Sequence, residues 1–140
     1  MLTIKFCSEV NYLSVFVAAL AFWAFGAIWF MVIFGKLFPK GLEEMNDLTA
    51  KYTPAQRTQK IIITFLGNLA ASFLISWFIY NVDYNGTMGW KFGFSAGVIA
   101  GSMQAVGDSW RNNNIKAIVV DALHPVIGMT LAGYIIGIWH

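Results

Sequence analysis

Apolar residues gather in four long blocks along the chain, separated by three polar intervals, and that pattern predicts helices long enough to cross a bilayer. A spanning helix needs about 20 mostly apolar residues, because the hydrocarbon core is roughly 30 Å thick and each residue rises about 1.5 Å. The blocks fall at about 12–34, 61–80, 90–108 and 117–139. The first is free of charge from Tyr12 to Phe34 and ends at Gly35-Lys36. The third is the weakest: its uncharged core, Phe92 to Gly107, is short, and Trp90 and Lys91 extend it at one interface. The fourth carries Asp121, His124 and Pro125 within it. The expected fold class is all-α: a polytopic integral membrane protein of four transmembrane helices, forming an oligomeric bundle, with residues 1–140 as a single transmembrane domain. The alternative makes the third block re-entrant, which leaves three spans.

The intervals read as connections. Residues 36–60 are polar and of mixed charge, with a short surface helix expected around Leu42–Lys51. Thr53-Pro54-Ala55-Gln56 has the form of a capping box with proline at the first helical position, so the second helix should begin near Pro54, before it enters lipid. Asn81–Gly89 is a turn-rich loop with its reversal at Asn85-Gly86, and Asn112-Asn113-Asn114 is a tight polar hairpin.

Composition changes the picture only by making lipid the solvent. Hydrophobic residues make up 58% and charged residues 11% of the chain, against roughly 25% charged in a soluble domain. The net charge of +2 gives no basic stripe for nucleic acid. The first apolar run is much longer than the roughly 7–15 residue core of a secretory signal, so it is expected to stay as a helix. Cys7 is the single cysteine and has no intramolecular partner.

Charge placement sets an orientation. Lys36, Lys40, Lys51, Arg57, Lys60, Arg111 and Lys116 fall in the first and third intervals, whereas Lys5 and Lys91 lie on the other side. By the positive-inside rule, the loop at 36–60 is cytoplasmic and both termini are non-cytoplasmic.

Small residues recur on the third helix at steps of four: Gly89, Gly93, Gly97, Gly101 and Ala105. Such a ridge lets a second backbone approach closely, which drives association where lipid supplies no hydrophobic force. Gly128/Ala132 and Gly133/Gly137 on the fourth helix and Gly67/Ala71 on the second add to it. These positions pack helices within one chain or between subunits of a homo-oligomer, and the sequence leaves both open. Trp29, Phe30, Phe34, Trp77, Tyr80, Trp90 and Trp139 fall where the membrane interfaces should lie and read as anchors.

The candidate chemistry is in the fourth helix. An aspartate at a helix centre costs on the order of 2.5–3.5 kcal/mol on insertion scales, so Asp121 needs an explanation. His124 lies three residues on, on the same face. Pro125 lacks an N–H and leaves the Asp121 carbonyl without its usual partner. Counting turns from the cytoplasmic ends puts Thr64 and Asn68 of the second helix, and Gln104 and Asp108 of the third, at a similar level. Thr64, Asn68, Ser72 and Ser76 share one face. A bland reading is also available: Asp121 pairs with Lys116 or Arg111, and His124 bonds Asn68 to hold helices together. One histidine and two carboxylates are few ligands for a metal, and a bis-histidine haem is excluded because His140 lies at the opposite face. No cofactor is expected. Asn85-Gly86-Thr87 matches a glycosylation sequon by chance more often than by use, and no phosphate-binding loop or nucleophile–base motif is present.

The chain resembles a bacterial membrane family known as domain of unknown function 1761. The resemblance rests on Asn11-Tyr12-Leu13, Gly26-Ala27-Ile28-Trp29-Phe30 and Phe34-Gly35-Lys36 near the start. Toward the end it rests on Asp121-Ala122-Leu123-His124 and Gly133-Tyr134-Ile135-Ile136-Gly137-Ile138-Trp139. Pro125 departs from that pattern. The resemblance implies a small four-helix protein of a bacterial inner membrane and carries no activity. Three functions are open from the residues. The first is a transport or channel-like role for a proton, ion or small polar molecule through Asp121 and His124. The second is an accessory or structural subunit of a membrane complex, and the third an intramembrane enzyme acting on lipid or quinone.

Overall fold

A computed structural model describes residues 10–82, 86–111 and 114–139, and among them every regular element is helical. Helix α1 (Tyr12–Ile28) continues through a wider, π-helical stretch at Trp29–Phe34 into the short α2 (Gly35–Leu37). The α3 helix (Pro39–Ala50) is followed by α4 (Pro54–Asn81), α5 (Gly89–Ser109) and α6 (Ile115–Ile138). Residues 83–85, 112 and 113 hold most of the two expected reversals and the sequon asparagine, and they lie outside the described residues, as do Lys5, Cys7 and His140.

Local chemistry sets the boundaries. The Asn11 side chain accepts from the Ser14 N–H, and the Asn114 side chain accepts from the Ala117 N–H, capping α1 and α6. The predicted capping box is formed: Thr53 N–H donates to Gln56 Oε1 at 2.9 Å and Gln56 N–H to Thr53 Oγ1 at 3.3 Å. The surface helix starts three residues earlier than expected because Pro39, with its fixed φ, occupies the first turn. It folds back on the end of the first helix, where Leu42 lies over Gly35 and Gly41 faces the Phe34 ring.

Among the described residues, three helical segments are long and apolar enough to cross a membrane: Tyr12–Leu37, Pro54–Asn81 and Ile115–Ile138. The α5 helix is not among them, because glycines, serines, Lys91, Gln104 and Asp108 dilute its apolar run. Its 21 residues nevertheless reach about 31 Å at the usual rise, and it lies antiparallel against α6 for most of that length. A Cβ placed on Gly97 would sit 2.6 Å from the Val126 Cα, and one on Gly89 2.9 Å from the Gly137 Cα. Gly93 faces the Met129 carbonyl, Gly101 the Ala122 carbonyl, and Gly133 the backbone of Gly89 and Gly93. The glycine ladder therefore packs inside the chain, on α6.

The α1 helix is also antiparallel to α6. The Phe22 ring lies on Gly128, Gly26 lies against His124, and the Asn11 amide donates to the Trp139 carbonyl at 3.3 Å. The start of α1 and the finish of α6 thus share one end of the bundle. The closed core is near that end, formed by Ala18, Ile75, Ile79, Ala132 and Ile136. At the opposite end α4 stands away from its neighbours: residues 53–64 are all exposed, whereas Ser72, Ile75, Ser76 and Ile79 are buried.

Candidate functional site

Asp121 and His124 leave α6 three residues apart, which is about 60° around the helix. Because α5 covers one side of α6 and α1 the other, that offset sends them to different clefts. The single polar level expected from the sequence is divided in two.

The first cleft is acidic. Asp121 lines it with Phe34, Glu44 of α3, Asp108, Arg111, Ala117 and Ile118, around a volume of about 400 Å³. Within the bundle the Asp121 carboxyl meets the side chains of Gln104 and Asp108. Two carboxyl groups in contact are stable only with a proton or a cation between them. Asp121 Oδ1 and Asp108 Oδ2 are buried and have no hydrogen-bond partner among the described residues. Of the sequence-predicted residues, Asp121, Asp108 and Gln104 are thus brought together. Arg111, expected as a surface partner for Asp121, lines the same cleft.

The second cleft contains His124 with Thr64 and Asn68. Lys60, Ile61, Trp23, Gly26, Ala27, Phe30 and Met31 complete it, around a volume of about 280 Å³. The imidazole is held by aromatic rings of the first helix. Phe30 is 5.0 Å away between centroids, Phe22 5.6 Å, Phe25 5.7 Å and nearly parallel, and Trp29 6.4 Å. Gly26 makes this approach possible, since a Cβ there would lie 3.0 Å from His124 Nε2. That nitrogen is buried without a hydrogen-bond partner among the described residues, and so is Trp29 Nε1. The bond between His124 and Asn68 that the bland reading offered is not made through Nε2. Thr64 is exposed and donates its hydroxyl to the Lys60 carbonyl at 2.8 Å.

Beyond Asn68 the polar face of α4 runs on into the closed part of the bundle. Ser72 and Ser76 are fully buried, and their hydroxyls lack partners among the described residues. Thr64 to Ser76 covers about 18 Å of helix. No group of three or more histidine, cysteine or carboxylate side chains able to hold a metal occurs among the described residues.

The aromatic ring around His124 and the contribution of Glu44 are not anticipated in the sequence. Trp29 and Phe30 read there as interface anchors, whereas Trp29 is buried and Phe30 half-buried against the imidazole. A signal was present: Phe22, Phe25 and Trp29 recur at steps of three and four, which places them on one face. The π-helical widening that starts at Trp29 adjoins the same ring, a position where such distortions are frequent at functional sites.

Two of the segments that carried the family resemblance, Gly26–Phe30 and Asp121–His124, are therefore in contact across α1 and α6. No curated protein and no solved structure matches the chain. A family model matches residues 13–137, and the chain belongs to that family, described as a protein of unknown function (DUF1761).

Proposed function

We propose that this protein crosses a bacterial inner membrane four times, with both termini non-cytoplasmic, and conducts a proton or small cation from the acidic cleft toward His124. The observation that carries the reading is the contact of the Asp121 and Asp108 carboxyls beside Gln104, an arrangement that needs a proton or cation for its stability. The meeting of Asn11 with Trp139 at one end of the bundle supports an even number of crossings, with α5 as the third. Glycine-rich α5 is too dilute in apolar side chains to read as a span alone, but its lipid-facing residues Val98, Ile99, Met103 and Val106 are exposed and apolar.

In this reading the acidic pair takes up the ion at the cytoplasmic side, where Glu44 and Arg111 flank the cleft. His124, one turn deeper, is the next acceptor through its imidazole. Asn68, Ser72 and Ser76 continue the polar face of α4. Ile75, Ile79, Ala132 and Ile136 close the far end, so passage requires α4 and α6 to separate there. The test is flux into liposomes that contain the purified chain: Asp121→Asn should abolish it while the helical content stays unchanged.

A second reading, an accessory or oligomerising subunit without flux of its own, is favoured by Gly67. Its Cα face on α4 is open, with nothing within 4 Å of an added Cβ. A partner helix or second copy would use that face, and Gly67→Leu should then dissociate the assembly in cross-linking while leaving the monomer folded.

A further inference from the structure

We infer that the cleft between α1 and α4 is a lateral binding site for an anionic glycerophospholipid, taken from the bilayer with its phosphate at Lys60. His124 and Asn68 of the ion-conducting reading line the same cleft, but this inference rests on Lys60 and its test reads lipid binding rather than flux, so the two can fail separately. Entry from the side follows from the lining. Trp23, Ala27 and Met31 on α1 and Ile61 on α4 are exposed on the bundle perimeter, where lipid is the neighbour. The charge of the occupant follows from Lys60. It is the one charged group lining the cleft unless His124 is protonated, no carboxylate lines it, and its ammonium lies 4.5 Å over the Tyr52 ring.

The order of groups along the cleft matches the order along such a lipid. Lys60, Thr64 and Asn68 follow one another at single-turn steps on one face of α4, so Asn68 lies about 12 Å below Lys60. A phosphate held by a Lys60 side chain turned down along the helix puts the glycerol esters between Thr64 and Asn68. The Thr64 hydroxyl is already used on the Lys60 carbonyl, so the Asn68 amide is the donor left for an ester oxygen. The chain then lies against Trp23, Ala27 and the exposed edge of Phe30. The splaying of α4 at residues 53–64 is what opens the slot. A volume of about 280 Å³ admits part of one chain and not a whole lipid, so the remainder stays in the bilayer.

The full chain, purified in neutral detergent and stripped of lipid, is titrated with dioleoyl phosphatidylglycerol and dioleoyl phosphatidylcholine, and the bound lipid is counted by native mass spectrometry. The first lipid bound should favour the anionic headgroup about fivefold, the size expected for one lysine at a lipid surface. Lys60→Gln should erase that preference and Lys60→Arg should keep it. Lys51→Gln, at an exposed lysine outside the cleft, should leave it unchanged, and Asn68→Leu should weaken both lipids alike. Lys60 is exposed, so its variants should keep the helical content of the parent, which circular dichroism checks. A preference that survives Lys60→Gln, or that Lys51→Gln removes equally, overturns the proposal. Full binding by Asn68→Leu overturns the assigned orientation. Displacement of the lipid by glycerol 3-phosphate overturns it too, by marking a site for a soluble anion.

Discussion

The two sides of α6 solve the same packing problem in opposite ways. Toward α5, four glycines bring backbone to backbone, and a single added methyl would strike a carbonyl or a Cα that cannot move aside. Toward α1 and α4 the interface is built from rings and long side chains, and at one end α4 does not close on it at all. Along Gly89–Gly101 the first side has no room for anything but helix, and it opens only beyond them, at Asp108 and Asp121. The second has clefts, an imidazole nitrogen buried with no hydrogen-bond partner among the described residues and a π-helical widening, so it is the side able to change shape. In lipid, where apolar burial does not drive helices together, small-residue contact supplies firm packing and bulky residues leave gaps. The acidic pair sits at the firm interface between α5 and α6, whereas His124 points into the adaptable half.

The same substitution at different glycines tests this contrast, and the largest effect belongs to the firm side. Gly93→Ala pushes a methyl into the Met129 carbonyl, and thermal unfolding in detergent should show a loss of about 3 kcal/mol, the upper range for overpacking. Ile79→Ala, in the closed core at the far end, should cost about 2–4 kcal/mol by leaving a cavity, and in liposomes it should raise basal leak if that core is the barrier. Gly26→Ala meets only a side chain, at 3.0 Å from His124 Nε2, so the imidazole must yield. A cost of about 1 kcal/mol is expected, with a shift of the His124 ring resonances in NMR as the direct sign. Gly67→Ala touches nothing within 4 Å and should stabilise the monomer by up to about 1 kcal/mol, through greater helix propensity. Equal costs at Gly93 and Gly67 would erase the distinction between the two sides.

The helices, the capping box and the ridge of small residues were legible in the sequence because each depends on a short-range pattern. Asn11 and Thr53 act on residues three positions on, and a step of four marks one helix face whatever lies opposite. What lies opposite is not a local property. The ladder at Gly89–Gly101 reads the same whether it meets α6 or a second copy, and only the register with Ala122–Gly137 decides it. The division of Asp121 from His124 was hidden for a related reason: an offset of about 60° matters only once it is known that α5 and α1 flank α6 on opposite sides. Trp29 shows the limit from composition. A tryptophan near a helix end reads as an interface anchor, yet the first helix continues through a π-helical stretch to Leu37, and that extension leaves Trp29 buried beside the imidazole.

The central claim is that the carboxyl pair of α5 and α6 loads the ion that the protein conducts. Its most direct test is proton and monovalent-cation flux into liposomes containing the purified chain, compared with Asp121→Asn and Asp108→Asn at equal incorporation. The account predicts that each variant loses flux at least tenfold, the scale set by removing about 1.4 kcal/mol or more of ion stabilisation, with helical content retained. Flux equal to that of the parent chain in Asp121→Asn would contradict it.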